Sequence, residues 1–242
     1  MADQATVPWF MVVVYLVVLF VALRLRVRHD LRRTYEDIAY GRWDPVAPGP
    51  THDRLQPVVA QLEAEGYALD SYAVLPLRPR PVPAVALVHR DGSLAMVRCL
   101  RTNIGVHRVY LDIESILLPG ERALCTASFA GLVTQPEALA EVAARRPDVG
   151  ATVARHRAAR RWVSSQGIEV HPVPLGGAGP IIEAGMRAAA RQRVMIPLLT
   201  LLHQLITGGG RLRRPMAERT ELIPRAAAVR RQQELARAEA QP

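Results

Sequence analysis

The sequence contains no lysine, so all 31 of its basic residues are arginine. Without lysine, a P-loop cannot place an ammonium group on nucleotide phosphates. A Schiff base with pyridoxal phosphate cannot form, and a protein kinase would lack its strand lysine. The sequence therefore excludes these three classes of protein in their usual form.

Cysteine and aromatic residues are also scarce. The two cysteines, Cys99 and Cys125, form no C-x-x-C motif, and two cysteines do not make a disulfide framework. We expect both to be reduced, buried, apolar side chains. Aromatic residues make up 5% of the chain, so few are available to stack on bases between the arginines, and nucleic acid is not an expected partner.

Residues 7–23 carry no charged side chain. Seventeen helical residues extend ~25 Å, and flanking arginines can snorkel to the surface of a hydrocarbon layer ~30 Å thick. Only Asp3 precedes this segment, whereas five arginines follow it: Arg24, Arg26, Arg28, Arg32 and Arg33. This charge order disfavours a cleaved signal peptide. It predicts a single-pass protein of the cytoplasmic (inner) membrane with its N-terminus outside and its C-terminal domain in the cytoplasm.

The body of the chain reads as an α+β domain. Leu55, Val58, Val59 and Leu62 have the spacing of an amphipathic helix. Residues 84–89 and 94–100 flank an Asp-Gly pair and predict a β-hairpin. Residues 106–117 alternate between apolar and polar side chains, which predicts a half-buried antiparallel strand. The predicted fold is therefore α+β: a transmembrane helix followed by a small antiparallel-sheet domain with flanking helices.

Helices are predicted after the sheet. Pro136 can begin a short helix that runs through Ala144, Asp148 begins a longer one, and a third spans residues 181–206 with a break at Pro197. The resulting plan has six parts: an outside N-terminus (1–6), a transmembrane helix (7–23), a basic juxtamembrane segment and proline-rich linker (24–50), a cytoplasmic α+β domain (51–175), an amphipathic helical extension (176–210) and a basic tail, disordered or a solvated helix (211–242).

Four short patterns between residues 62 and 162 resemble those of a loose group of uncharacterised bacterial membrane-anchored proteins. They are LEAEGY at 62–67, HRDGS at 89–93, PGERALCTAS at 119–128, and RRP at 145–147 followed by a helix with His156. The resemblance implies a domain and carries no activity.

Asp112 and Glu114 are the strongest candidates for chemistry. Two residues apart on a strand, they face the same side, where paired carboxylates can bind metal or exchange protons. The alternative is that they belong to the solvated face of the strand. His156 lies on the apolar stripe of its helix, which favours a buried histidine bonded to a backbone group. Gly176 and Gly177 precede a helix and can cradle a phosphate, although a flexible joint is the simpler interpretation.

Arginine and leucine residues at two places form candidate surfaces for lipid or for a partner. These candidates are Arg24, Arg26, Arg28, Arg32, Arg33, Arg187, Arg191, Arg193, Leu198, Leu199, Leu202 and Leu205. The apolar run 194–206 can pack in the core, lie on a membrane or dock on a partner.

The sequence therefore predicts a membrane-anchored accessory or scaffolding subunit, non-enzymatic, that binds a membrane-protein partner through its cytoplasmic domain. It predicts no cofactor and no metal. One alternative is a membrane-tethered enzyme with a site assembled around Asp112, Glu114 and a histidine. Another is a protein that binds the headgroups of anionic lipids.

Overall fold

The computed structural model describes residues 9, 11–15, 18, 22, 42–75, 81–101, 107–118, 122–127, 140–143, 148–195 and 214–240. These residues form an α+β fold in which helices cover both faces of a single sheet. All structural statements below concern this part of the chain.

The sheet has seven described strands whose spatial order follows the chain order. They are β1 (Pro45–Val46), β2 (Tyr67–Leu75), β3 (Val82–His89), β4 (Leu94–Arg101), β5 (His107–Leu118), β6 (Arg122–Ala127) and β7 (Ala140–Ala143). Strands β1 to β6 pair antiparallel with their neighbours, whereas β7 runs parallel to β6. The sheet is therefore a meander with one parallel strand at its edge.

Four longer helices accompany the sheet: α1 (Gln56–Ala64), α2 (Val149–Ser165), α3 (Ala178–Met195) and α4 (Ile223–Ala240). Single 3-10 turns occur at Pro50–His52, Met216–Glu218 and Thr220–Leu222. The predicted start of α2 is confirmed, because the side chain of Asp148 accepts a hydrogen bond from the backbone N–H of Ala151 at 2.6 Å. This carboxylate satisfies one of the free N–H groups at the start of the helix.

The predicted hairpin between β3 and β4 is confirmed. The N–H of Gly92 donates to the carbonyl of His89 at 2.8 Å, and the N–H of His89 donates to the carbonyl of Ser93 at 2.9 Å. Gly92 has a φ of +82°, as a three-residue hairpin loop with a glycine bulge requires.

Both faces of the sheet are covered, and this changes the interpretation of β5. Leu111 and Ile113 face α1 and α2 in one apolar cluster. Tyr110 and Asp112, on the opposite face, are also buried. The half-buried strand inferred from alternation is therefore wrong for these two residues, because alternating polarity reveals that two faces differ but not that one of them meets water.

Strand β7 replaces part of a predicted helix. The helix predicted over residues 136–144 is not seen at 140–143, which pair with β6, with Ala140 opposite Leu124 and Val142 opposite Thr126. Pro136 lies outside the described residues. The propensity of alanine for helix is a weak preference, which hydrogen bonds to a neighbouring strand can override.

The predicted basic tail contains α4, and one face of this helix is buried. Leu222, Ala226 and Val229 pack with Ala159 and Val163 of α2. The prediction for this tail was a disordered segment or a solvated helix; the described residues form a helix, and its buried face was not predicted. Small side chains at every third or fourth position still give a helix a buried stripe.

The predicted transmembrane helix is contradicted. Among the residues described, no helix combines the length and the apolar character needed to cross a membrane. The predictions of a single-pass protein and of an inner-membrane location are wrong on this finding.

Candidate functional site

The two carboxylates proposed for chemistry are held in different ways. Asp112 is buried, and Nη2 of Arg98 donates to its Oδ2 at 2.5 Å. Arg98 comes from the neighbouring strand β4, where Met96 lies opposite Asp112. Glu114 is partly exposed on the same face of the sheet. The carboxylate of Asp112 is therefore one half of a buried ion pair, for which a structural role is sufficient.

His156 does not join this pair. It lies on α2 and reaches β5 at Ser115, which is three residues from Asp112 and therefore faces the other side of the sheet. Within the described ranges, no group of three or more His, Cys, Asp or Glu residues could hold a metal ion. The structure thus places His156 and the carboxylate of Asp112 on opposite faces of the sheet.

His156 uses both of its ring nitrogens inside the core. Its Nε2 lies 2.8 Å from Oγ of Ser115, and its Nδ1 lies 3.0 Å from Oγ1 of Thr126. Burial, reinforced by the positive charge of Arg160, lowers the pKa of His156 to about 3. A neutral ring has one donor and one acceptor nitrogen, and each can bond to one hydroxyl group. The prediction of a buried histidine is confirmed, although its partners are side chains and not the backbone.

A second polar network surrounds the turn between β3 and β4. The side chain of Asp91 accepts hydrogen bonds from the hydroxyl of Ser93 at 2.7 Å and from its backbone N–H at 2.9 Å. Nδ1 of His89 and Nη1 of Arg160 lie 2.9 and 2.7 Å from the same carboxylate oxygen. The hydroxyls of Tyr67 and Ser93 are 3.2 Å apart. This network joins α2, β2 and the hairpin.

The electrostatics of this network favour an ionised Asp91. Burial alone would raise the pKa of the Asp91 carboxyl, but the bonds from Ser93, the ring of His89 and the charge of Arg160 together hold that pKa well below its usual range. Burial raises the pKa of Tyr67. This network is absent from the sequence-based predictions. The HRDGS motif could have predicted it, because side chains two residues apart across a tight turn can form hydrogen bonds with one another.

Ser93 does not have the position of a catalytic nucleophile. In a Ser-His-Asp triad the histidine bonds to the serine hydroxyl, and the carboxylate orients the other ring nitrogen. Here the hydroxyl of Ser93 donates to Asp91 itself. The arrangement fixes the shape of the turn, and the only base beside Ser93 in it is Asp91, whose lowered pKa makes it a weak one.

The two cysteines are buried and are not joined in a disulfide. Sγ of Cys99 lies 3.8 Å from Nδ1 of His107. Burial raises the pKa of the Cys99 thiol against the lowering effect of Arg54. A raised pKa keeps the thiol protonated, and the thiolate is the nucleophilic form.

At the glycine run before α3, a side chain already bonds to a backbone N–H that a phosphate would need. The N–H of Gly176 donates to Oδ1 of Asp70 at 2.5 Å, so a carboxylate already uses this N–H. At Gly179, Cδ1 of Trp43 would lie 3.0 Å from an added Cβ, so glycine allows the indole to approach the helix closely. These contacts favour a packed joint between α3 and the sheet over a phosphate cradle.

The predicted interface residues are only partly described. Arg187 is exposed on α3 and lies 3.8 Å from Glu183. Arg191 and Arg193 belong to the same helix. The other candidates lie outside the described residues: Arg24, Arg26, Arg28, Arg32, Arg33, Leu198, Leu199, Leu202 and Leu205.

Large apolar side chains are exposed on the helical residues near the N-terminus. Trp9 is 71% exposed, Tyr15 66% and Met11 63%. Val12, Val13, Val14 and Val18 are also exposed. Exposed apolar patches on other proteins are often sites of interaction.

The comparisons with known proteins add no family. No protein-family model matches the chain, and neither the curated proteins nor the solved structures include a significant match.

Proposed function

We propose that this protein is a non-enzymatic accessory or scaffolding subunit that binds a partner protein. The observation that carries the proposal is the exposed apolar surface of the N-terminal helical residues, above all Trp9, Met11 and Tyr15. Burying one such side chain against a partner contributes ~1.5–3 kcal/mol. In this proposal the N-terminal apolar surface binds the partner and thereby holds the α+β domain beside it.

The polar clusters of the domain support a structural role for its ionisable groups. Asp112 is paired with Arg98, and His156 is bonded to two hydroxyl groups. Asp91 is bonded to its neighbours within the turn. Groups that are held in this way stabilise a core or a turn, and none of them presents an activated nucleophile beside a base.

Photocrosslinking of the full-length chain tests the proposal. A photoreactive amino acid, p-benzoylphenylalanine, replaces Trp9 in one variant and Leu235, which is 57% exposed on α4, in the control. We expect the variant at Trp9 to form one protein adduct of defined mass in the cells that produce it. The control at Leu235 should not form this adduct.

A second step measures binding with the purified partner. Met11 and Tyr15 are four residues apart and share one helix face. The double change Met11→Glu and Tyr15→Glu should weaken binding by at least tenfold, whereas Leu235→Glu should leave it unchanged. If Trp9 gives no protein adduct, or if the double variant binds as the wild type does, the proposed function is wrong.

A further inference from the structure

One oxygen of the Asp91 carboxylate is approached by more donors than it can accept. Its Oδ1 lies 2.9 Å from the backbone N and 2.7 Å from Oγ of Ser93. It also lies 2.9 Å from Nδ1 of His89 and 2.7 Å from Nη1 of Arg160. An ionised carboxylate has about two lone-pair sites on each oxygen. The two hydrogen bonds from Ser93 use those of Oδ1, so His89 and Arg160 compete for what remains of its charge.

The contact of Arg160 with this oxygen reflects the crowding. Its Nη1 is buried and has no hydrogen-bond partner among the described residues, although Oδ1 of Asp91 is 2.7 Å away. The attraction at Nη1 is therefore one of charge, without a directed hydrogen bond. Its Nη2 donates to the backbone carbonyl of Asp91 at 3.0 Å. Helix α2 is thus joined to the turn between β3 and β4 by one hydrogen bond and one ion pair of Arg160.

Nδ1 of His89 can be used in two ways that exclude each other. The backbone N–H of Asp91 donates to it at 3.2 Å, which requires a ring nitrogen without a proton. The same nitrogen lies 2.9 Å from Oδ1 of Asp91, to which only a protonated nitrogen can donate. A neutral ring with its proton on Nε2 therefore bonds to the backbone of Asp91, whereas a protonated ring bonds to the carboxylate.

The charged and titratable groups around this ring come from four parts of the chain: Glu65 after α1, Tyr67 of β2, Arg90 and Asp91 of the turn, and Arg157 and Arg160 of α2. The ring centroids of Tyr67 and His89 are 4.9 Å apart, and the Tyr67 hydroxyl stays neutral because burial raises its pKa. Arg157 is paired with Glu65 at 2.9 Å, and Arg90 is exposed. Arg160 is therefore the positive group that shares its partner with His89.

We propose that protonation of His89 is a switch at the joint between α2 and the turn. When the ring is neutral, the carboxylate of Asp91 holds Arg160. When the ring is protonated, it donates to the same oxygen and displaces the guanidinium group, so that α2 is held less firmly. Histidine is the side chain suited to such a change between about pH 5 and pH 8. The switch does not depend on the partner of the proposed function.

Variants of Arg160 at two pH values test the switch in the full-length chain. Arg160→Gln should lower the urea midpoint at pH 8, and at pH 5 it should have less than about half of that effect, because the wild-type guanidinium is then already displaced. Arg157→Gln, on the same helix, is the control and should have equal effects at both pH values. His156 does not interfere, because its pKa of about 3 leaves it neutral in the folded chain at pH 5.

The same comparison in a His89→Gln chain identifies the group that titrates. Glutamine does not bind a proton in this range, so Arg160→Gln should there have equal effects at pH 8 and pH 5. Equal effects in the chain that retains His89 would overturn the switch. A pH dependence that persists in the His89→Gln chain would also overturn it.

Nitrogen NMR of the full-length wild type gives a measurement that needs no stable variant. At pH 8, Nδ1 of His89 should have the chemical shift of an unprotonated nitrogen. As the pH falls to 5, the backbone amide of Asp91 and Nε of Arg160 should shift together with the ring nitrogens of His89. A proton on Nδ1 at pH 8, or an Arg160 signal that does not follow His89, would show that the proposed switch is wrong.

Discussion

At the scale of single residues, two effects require glycine at position 92: a left-handed backbone conformation and close packing around its Cα. Its φ is +82°, and a Cβ added to it would lie 2.7 Å from Cβ of Pro172. The carbonyl of Gly92 also accepts a hydrogen bond from the N–H of Val173 at 3.1 Å. The turn between β3 and β4 therefore lies directly against the chain that leads into α3.

Gly176 allows the cost of the left-handed conformation to be separated from the cost of close packing. It has the same φ of +82°, but no atom lies within 4 Å of an added Cβ. We expect Gly176→Ala to lower the free energy of unfolding by ~1 kcal/mol, from the left-handed conformation alone. Gly92→Ala should lower it by ~2–4 kcal/mol, because overpacking adds to that strain. Urea denaturation measures both values, and equal losses would show that the contact with Pro172 has no energetic effect.

His156 makes the stability of the domain depend on pH. Its pKa is about 3 in the folded chain against 6.5 for a free histidine, so the unfolded chain binds more protons between these values. The contribution of the neutral ring is present above pH 6.5 and is lost as the pH falls towards 3, by up to ~1.4 kcal/mol per pH unit.

The variant His156→Gln serves as the comparison for this prediction. Glutamine can bond to the hydroxyls of Ser115 and Thr126 but does not titrate. We expect the wild type to lose stability to urea between pH 7 and pH 4.5, and the variant to show a flatter profile over this range. Identical slopes for the two chains would exclude His156 as the source. The range also stays above 3.8, the ordinary pKa of an aspartate. The lowered pKa of Asp91 reduces stability only as the pH falls through that value, because the unfolded chain then binds the proton.

At the scale of elements, α4 is attached to the sheet by one buried side chain. Nε2 of Gln233 donates to the carbonyl of Leu117 at 2.7 Å and to that of Glu169 at 2.8 Å, while its Oε1 accepts from the N–H of Glu169 at 3.0 Å. One amide group thus satisfies three backbone groups: the carbonyl of Leu117 in a buried bond, and the carbonyl and N–H of Glu169 in partly buried bonds. The position of α4 is fixed by hydrogen bonds as well as by its small apolar stripe.

Replacement of Gln233 by alanine should therefore destabilise the domain. A carbonyl left buried and unpaired, here that of Leu117, costs ~1–3 kcal/mol, so we expect a loss of ~2 kcal/mol. Gln232 is exposed on the same helix, and Gln232→Ala should change the free energy of unfolding by less than ~0.5 kcal/mol. Thermal unfolding of the two variants compares them. A Gln233→Ala variant as stable as the control would show that α4 does not depend on this amide.

At the scale of the whole molecule, the features predicted from sequence are the local ones. The Asp-Gly turn and the Asp148 cap each need only a few consecutive residues. The features missed depend on distant partners: His156 bonds to Ser115 and Thr126, and β7 exists because β6 lies beside it. The buried stripe of α4 also escaped prediction, because alanine side chains give a weak apolar signal.

The chain order of the meander has a consequence for the order of folding. Every strand pairs with its neighbour in sequence, so the sheet consists of short-range pairings that cost little loop-closure entropy. Helix α4 follows all of the strands, yet it closes the cluster that contains Leu117 and Leu124. During synthesis the strands leave the ribosome first, and this cluster stays open to solvent until α4 emerges. A nascent chain stalled before residue 214 should therefore expose an apolar surface that chaperones can bind.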